Sequence, residues 1–183
     1  MDQQTRLALV AKYKDGYREV AAALAGASDR ELDARPAPGK WTAREIVHHL
    51  ADSEMTSAIR LRLLVAEDNA AIRPYDEKTF ATRLYYNRPI ANSLLAFHAA
   101  RLSTGELLDA MTDADFARTG THPEHGRYGV ERWLEIYAEH AHNHADQIRK
   151  ARGLHEPRAA RGDGAAQASG EERGEGPPRL KKT

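Results

Sequence analysis

The sequence predicts an all-α protein, a four-helix bundle with long crossover loops, and three observations lead to this fold class. Apolar residues in the first 152 positions recur at intervals of three and four, which is the spacing of one helix face. No two segments alternate in the way that a convincing pair of strands would. Two of the connections between the four periodic segments are long, and a bundle with at least one crossover connection accounts for them.

The first predicted helix carries its apolar stripe on Leu7, Val10, Tyr17 and Leu24, with an interruption at Lys14. The aliphatic stem of a lysine can lie along apolar surface while its ammonium group stays in water. The helix must end before residues 36–39, since this Pro-Ala-Pro-Gly stretch cannot continue a helix.

Two capping boxes mark helix starts after the first helix. Ser28 with Glu31 predicts a short capped run at residues 28–32, and Thr42 with Glu45 predicts the start of the second long helix. In each pair the hydroxyl accepts from the backbone N–H three residues on, and the carboxylate accepts in return. The second long helix is predicted to run to about Glu67.

The second half of the chain predicts two loops and two more long helices. The periodic pattern is lost over residues 68–88, which predicts an ordered loop, and Pro89 then suits the first turn of a third helix that ends near Met111. Phe97, Arg101 and Leu102 are predicted to lie along one face of that helix. A capped turn at residues 112–116 and a second loop at 121–129 precede the last helix, which is predicted to span residues 130–152.

Composition sets the broad class of protein. The chain of 183 residues has 27 basic and 27 acidic residues, so net charge gives no reason to expect binding to nucleic acid or to an anionic membrane. Cysteine is absent, which excludes disulfides, cysteine metal sites and a cysteine nucleophile. We expect a cytoplasmic protein with one domain at residues 1–152 and a disordered tail at 153–183, where aromatic residues are absent.

Histidine is the residue type that points to chemistry. In the last helix the apolar stripe is continued at His140 and His144, so both rings are predicted to point into the bundle, whereas His142 is predicted to face solvent. A spacing of four residues places two imidazoles one above the other, close enough to bind one cation.

The second long helix supplies a third inward histidine. His49 lies beside the apolar stripe of that helix, while His48 lies on a polar flank and is predicted to be solvated. Three buried neutral imidazoles would be costly to leave without partners, and one metal ion satisfies all three. Three histidine ligands with an open fourth position are typical of catalytic zinc.

Four segments in this order resemble the DinB superfamily, and specifically its YfiT-like branch of metal-dependent hydrolases. The segments are Trp41–Ser53, Ile72–Lys78, His122–Gly126 and Tyr137–His144. The resemblance implies a four-helix bundle, commonly a homodimer, and one divalent ion, zinc or nickel, on His49, His140 and His144. Related members include S-transferases that use bacillithiol or mycothiol, so the resemblance also implies a small-molecule thiol and an electrophile as substrates.

Two functions remain open from the sequence. The first is an enzyme in which the metal activates either a thiol for transfer or water for hydrolysis. Asp52 or Glu45 is the supporting carboxylate in this interpretation, and Arg60 or Arg73 is a cationic group for the carboxylates of the thiol. Because residues 141–143 include no carboxylate to act as a general base, transfer is favoured over hydrolysis. The second is a non-catalytic module that the metal staples together, and a bundle without metal is the third possibility.

The remaining polar loop residues have two interpretations each. Tyr75 and Lys78, with Arg73, suit a lid or an anion-binding rim, or else a self-paired cluster that only fixes the crossover. His122, Glu124 and His125 are predicted to belong to a turn rather than to the metal site.

Overall fold

The computed structural model describes residues 1–154, and four long helices make up its bundle. The elements are α1 (Gln3–Leu24), α2 (Asp29–Leu32), α3 (Ala43–Ala66), α4 (Glu77–Arg83), α5 (Ala91–Ala110), α6 (Asp113–Phe116), β1 (Thr119–His122), β2 (Gly126–Gly129) and α7 (Val130–Ala151). The predicted four-helix bundle is therefore confirmed. The predicted tail lies outside the described residues beyond position 154.

Helices α3 and α5 pack side by side and run in the same direction. His48, near the start of α3, bonds to Ser93 near the start of α5, and Arg62 near the end of α3 bonds to Thr104 near the end of α5. The two helices therefore run parallel, and residues 67–90 form the crossover between them. Helix α7 packs against both α1 and α3, and this second contact builds the candidate site.

The predicted helix caps are present. Ser28 and Thr42 each accept from the backbone N–H three residues on, and Glu31 and Glu45 complete the two capping boxes. A third box at Thr112 caps α6. These caps satisfy backbone donors that would otherwise have no partner, which fixes where each helix begins.

The buried face of α1 differs from the predicted one. Tyr13 and Val20 are fully buried, whereas Leu7 is 62% exposed and Lys14 pairs with Asp109 at the surface. The sequence of α1 is rich in alanine, so more than one of its faces could serve as the buried stripe. The large Tyr13 ring packs on Trp133 of α7 with a centroid distance of 5.3 Å, and this contact buries the face that carries Tyr13. In α5, Leu102 was also predicted to face the core and is 58% exposed.

Two elements appear where the sequence predicted only loops. Helix α4 forms inside the predicted loop of residues 68–88, capped by Asp76, and α5 starts two residues after Pro89. Strands β1 and β2 form an antiparallel hairpin, so the expectation of no strand pair is wrong. The apolar alternation that announces strands is missing here, because β1 reads Thr-Gly-Thr-His.

The hairpin also holds the crossover in place. The backbone N–H of Thr121 donates to Ala70 O, and the N–H of Ile72 donates to Thr121 O, both at 2.8 Å. A Cβ at Gly120 would lie 2.2 Å from Ala70 O, so only glycine allows this approach. The pairing places the segment after Ile72 against the bundle next to α3.

A buried ion pair joins the helices at the centre of the bundle. Arg101 of α5 donates to Glu54 of α3 at 2.5 Å, and both side chains are at most 1% exposed. Arg101 also donates to the carbonyl oxygens of Tyr13 in α1 and Tyr137 in α7, and the Tyr13 hydroxyl donates to Glu54. The guanidinium of Arg101 thus links α5 to the three other long helices. Within residues 1–154, no helix is both long enough and apolar enough to cross a membrane.

Candidate metal centre

The three predicted histidines meet between α3 and α7. His49 lies on the inward face of α3, and His140 and His144 lie one turn apart on α7. The Nε2 atom of His140 is 3.3 Å from Nε2 of His49 and 3.2 Å from Nε2 of His144. The prediction that these three side chains converge is therefore confirmed by the geometry, and we call them the histidine triad.

The histidine triad is electrically neutral at ordinary pH. Burial lowers the pKa of His49 and His140 well below the usual value, and the neighbouring imidazoles lower it further. Burial lowers the pKa of His144 to about 4. A neutral imidazole keeps a lone pair on one ring nitrogen, and that lone pair is what a metal ion needs.

The arrangement of the three Nε2 atoms fits a metal ion. Two nitrogens bound at about 2.0–2.1 Å to a tetrahedral ion lie about 3.4 Å apart, close to the separations found here. Nδ1 of His144 is 2.9 Å from Oε1 of Gln147, so this ring carries its proton on Nδ1 and directs the Nε2 lone pair at its neighbours. Nδ1 of His49 and of His140 are buried and have no hydrogen-bond partner among the described residues.

Aromatic side chains form the walls around the histidine triad. The Trp41 ring meets the His49 ring edge-on at a centroid distance of 4.7 Å, and the Tyr137 ring lies 5.7 Å from that of His140. Trp41, two residues before α3, therefore packs on a member of the triad. Apolar walls of this kind keep bulk water away from a site and strengthen charge interactions inside it.

His48 points away from the histidine triad and is not solvated, contrary to the prediction. Its ring is fully buried, with Nδ1 2.7 Å from Ser93 Oγ and Nε2 2.9 Å from Arg88 O. The polar flank of α3 is covered because α5 and the end of the crossover pack on it. His48 therefore links α3 to those segments. His142, predicted to face solvent, is partly exposed and bonds to Lys12 O.

Asp52 and Arg73, the two predicted catalytic residues, have other contacts. Asp52 accepts from the Tyr86 hydroxyl at 2.7 Å, so its carboxylate holds the crossover. Arg73 is exposed, and its backbone carbonyl accepts from Arg60 at 2.7 Å. Neither side chain contacts a ring of the triad, and their catalytic roles stay predictions.

The sequence did not single out a second polar group beside the histidine triad. It comprises Arg60 of α3, Tyr75 and Glu77 of the crossover, His122 and Tyr128 of the hairpin, and Tyr137 of α7. We call this set the polar cluster. The sequence gave two separate signals for it, the polar residues at 73–78 and Arg60 as a candidate cationic group, but not their meeting, because the members come from four separate segments.

His122 also belongs to a small group at the hairpin turn with Glu124 and His125. The three potential ligand atoms lie within 4.8 Å of one another. However, the His122 and His125 rings stack at 4.6 Å, and Nδ1 of His122 accepts from the backbone N–H of Glu124 at 3.2 Å. These contacts are those of an ordered turn, in line with the prediction.

The fold and the histidine triad together define a class of protein, a helical bundle with a candidate metal site between two of its long helices. The family model of the DinB superfamily matches residues 12–148, which is most of the bundle. The chain belongs to the DinB superfamily.

Named relatives agree with this placement. The chain is 40% identical over 121 residues to "Putative metal-dependent hydrolase OB0782" of Oceanobacillus iheyensis, covering 66% of this chain and 70% of that protein. It is 32% identical over 154 residues to a protein of the same description from Geobacillus thermodenitrificans, covering 82% and 84%. Among solved structures it is similar to YfiT from Bacillus subtilis, described as "a probable metal-dependent hydrolase with an unusual four-helix bundle topology". The TM-score is 0.77 at 29% identity, over 85% of this chain and 91% of YfiT.

Proposed function

We propose that the protein is a metal-dependent enzyme in which His49, His140 and His144 hold one divalent ion, zinc or nickel. The observation that carries the proposal is the convergence of three neutral imidazoles. Nε2 of His140 lies 3.3 Å from Nε2 of His49 and 3.2 Å from Nε2 of His144, and the three ligand atoms all lie within 4.8 Å of one another. The relatives from Oceanobacillus and Geobacillus, named as metal-dependent, support it. Three histidines leave room for a further ligand, which favours a catalytic over a structural role.

The reaction that we propose is transfer of a low-molecular-weight thiol onto an electrophile. When bound, a divalent ion lowers the pKa of a thiol or a water that coordinates it, so that a nucleophile is present at neutral pH. In the transfer, a carbon–sulfur bond forms, the leaving group departs with the electrons of its bond, and the thiol proton passes to solvent. The walls formed by Trp41 and Tyr137 would orient the sulfur and limit competing water.

The contacts of the histidine triad favour a thiol over water. Among residues 1–154 no carboxylate forms a hydrogen bond with a ring of the triad, and Asp52 is held by Tyr86. Activation of water normally uses a general base close to the metal. A thiol needs less help, since its ordinary pKa of about 8.5 is already near neutrality.

Hydrolysis is the second candidate, and one residue favours it in addition to the names of the relatives. Glu77 lies in the polar cluster, where burial raises the pKa of its carboxyl. A raised pKa makes a carboxylate a stronger base, which is the direction that a general base requires. Arg60 acts in the opposite direction by lowering this pKa.

A paired assay separates the two reactions. Protein without a His tag, loaded with zinc or nickel, is given monochlorobimane with a panel of biological thiols, and separately a panel of activated esters and amides. Transfer predicts thiol-dependent turnover that the His140→Ala variant loses, while the His142→Ala variant on the same helix retains it. Turnover of esters or amides alone would support hydrolysis. Full metal occupancy with neither turnover, and a collapse of the melting temperature in His140→Ala, would indicate a structural metal instead.

A further inference from the structure

The polar cluster beside the histidine triad contains hydrogen-bond donors that have no acceptor. The Arg60 Nε atom and the Tyr75 hydroxyl are both buried and have no hydrogen-bond partner among the described residues. The Tyr75 hydroxyl lies beside Ser53, and the guanidinium carbon of Arg60 lies 5.7 Å from the Tyr75 ring centroid. A buried donor without an acceptor is costly, and two of them next to each other point to a missing ligand that accepts hydrogen bonds.

Arg60 is held in place without being neutralised. Its Nη1 donates to the Tyr137 hydroxyl at 3.3 Å and its Nη2 donates to the carbonyl of Arg73 at 2.7 Å, so neutral oxygens accept from both ends. Within the described part of the chain, no carboxylate lies at ion-pair distance from Arg60. Glu77 is the acidic group within its electrostatic reach, and burial raises the pKa of that carboxyl. Arg60 and Tyr75 together therefore offer one permanent positive charge and one neutral hydroxyl donor.

We propose that Arg60 and Tyr75 form a subsite for a carboxylate group of the substrate. One positive charge with a neutral donor matches a monoanion, and a guanidinium matches the planar shape of a carboxylate. The subsite is one side chain away from the histidine triad, because Tyr137 contacts Arg60 and lies beside His140. The inference rests on the proposed function and specifies its substrate as a small molecule with a carboxylate near the reacting atom.

The test compares matched ligands on cobalt-substituted protein, whose near-ultraviolet absorption reports thiol coordination. We expect 3-mercaptopropionate to bind at least about tenfold more tightly than 3-mercaptopropanamide, as a charge-assisted hydrogen bond would give. The Arg60→Gln variant should lose this preference while keeping its metal content and its affinity for the amide. Arg60→Lys should keep part of the preference, and Tyr75→Phe should weaken it severalfold.

Controls separate this subsite from general charge effects and from failure of the proposed function. Arg83→Gln removes an exposed positive charge from α4 and should leave the preference unchanged. Propionate, which has no thiol, is titrated by calorimetry on the same proteins. Binding of propionate that depends on Arg60, without any thiol band, would support the subsite and contradict thiol transfer. Equal binding of the two thiols, a preference that survives in Arg60→Gln, or tighter Arg60-dependent binding of inorganic phosphate would overturn the proposal.

Discussion

In the histidine triad the Nε2 atoms face one another, and Nδ1 is the outer nitrogen of each ring. One of the three Nδ1 atoms is hydrogen-bonded to a side chain, and the other two are not. Nδ1 of His144 bonds to Gln147 at 2.9 Å, whereas Nδ1 of His49 and of His140 are buried without a partner among the described residues. A partner on the outer nitrogen fixes the ring and makes the inner nitrogen a better ligand. Gln147, one turn after His144 on α7, is therefore the residue outside the triad on which metal affinity should depend most.

We expect Gln147→Ala to weaken metal affinity by about 10-fold to 100-fold, the usual cost of losing such a partner. Competition with a chromogenic chelator measures the affinity. Asn143→Ala, an exposed change on the same helix, is the control and should leave the affinity unaltered. Equal affinities for the two variants would contradict the role given to Gln147.

Adjacent histidines in α3 have different roles, and a pair of variants separates them. His49→Ala should abolish stoichiometric metal binding. His48→Ala should keep the metal but lower the free energy of unfolding by about 1–3 kcal/mol, because Ser93 and the carbonyl of Arg88 lose a buried partner. Elemental analysis and urea denaturation of both variants provide the measurements. Loss of metal in His48→Ala would show that the assignment is wrong.

At the scale of elements, buried charge joins the four long helices. Arg101→Met removes one partner of a fully buried pair and leaves Glu54 without a counter-charge. We expect a loss of about 3–5 kcal/mol in the free energy of unfolding, measured by urea denaturation. The double variant Glu54→Leu with Arg101→Met should lose less than Arg101→Met alone. An additive loss in this double-mutant cycle would mean that the two side chains are not coupled.

The short helix α2 has a contact that depends on pH. Glu31 completes its capping box with Ser28 and also pairs with Arg152 at the end of α7. Hydrogen bonds from Ser28 and then from Arg152 lower the pKa of Glu31 to about 2 from an ordinary value of 4.5. A lowered folded pKa means that the stabilisation is complete above pH 4.5 and is lost as the pH falls towards 2.

The variant Glu31→Gln tests this pH dependence. At pH 7 it should melt at a lower temperature than the unmodified chain, and the difference should shrink below pH 4.5 and be nearly gone at pH 2. Thermal denaturation followed by circular dichroism across this range measures it. A difference in melting temperature that stays constant down to pH 2 would mean that the carboxylate charge contributes nothing.

Element prediction from the sequence succeeded where the pattern was strong. Helix α7 has a regular apolar stripe, and the prediction that His144 lies on its buried face is confirmed. Helix α1 is rich in alanine, so its buried face was misjudged at Leu7 and Tyr13. The hairpin was missed because its stability comes from backbone pairing with the crossover, which side-chain patterns do not report.

The candidate site could be predicted only in part for a related reason. His49, His140 and His144 were found because each lies on the inward face of its own helix, and facing helices bring inward residues together. Arg60 and Tyr75 meet because the crossover, held by its pairing with the hairpin, lies against α3. No local spacing in the sequence announces that pairing.

At the scale of the whole molecule, the core does not depend on the metal. Two clusters of buried apolar residues fill the bundle on their own, one around Trp133 and Leu61 and the other around Ile46 and Phe97. The histidine triad joins α3 to α7, which already pack together. The metal should therefore add stability to a bundle that folds without it.

We expect protein treated with a chelator to keep its helical circular dichroism and to melt cooperatively at a lower temperature than the loaded protein. With free metal at about 100 times its dissociation constant, the gain in the free energy of unfolding should be about 2.7 kcal/mol. Calorimetry at several zinc concentrations measures the dependence. Loss of helical signal on chelation would instead show that the metal is required for folding.

The packing of α1 on α7 has a consequence for synthesis on the ribosome. The first long helix of the bundle finds one of its main partners in the last, and α7 also supplies two of the three imidazoles. Until α7 has left the exit tunnel, the buried face of α1 has no complete partner, and His49 is alone on its side of the bundle. Folding of the bundle and the capacity to capture metal should therefore arise together, once α7 has emerged from the ribosome.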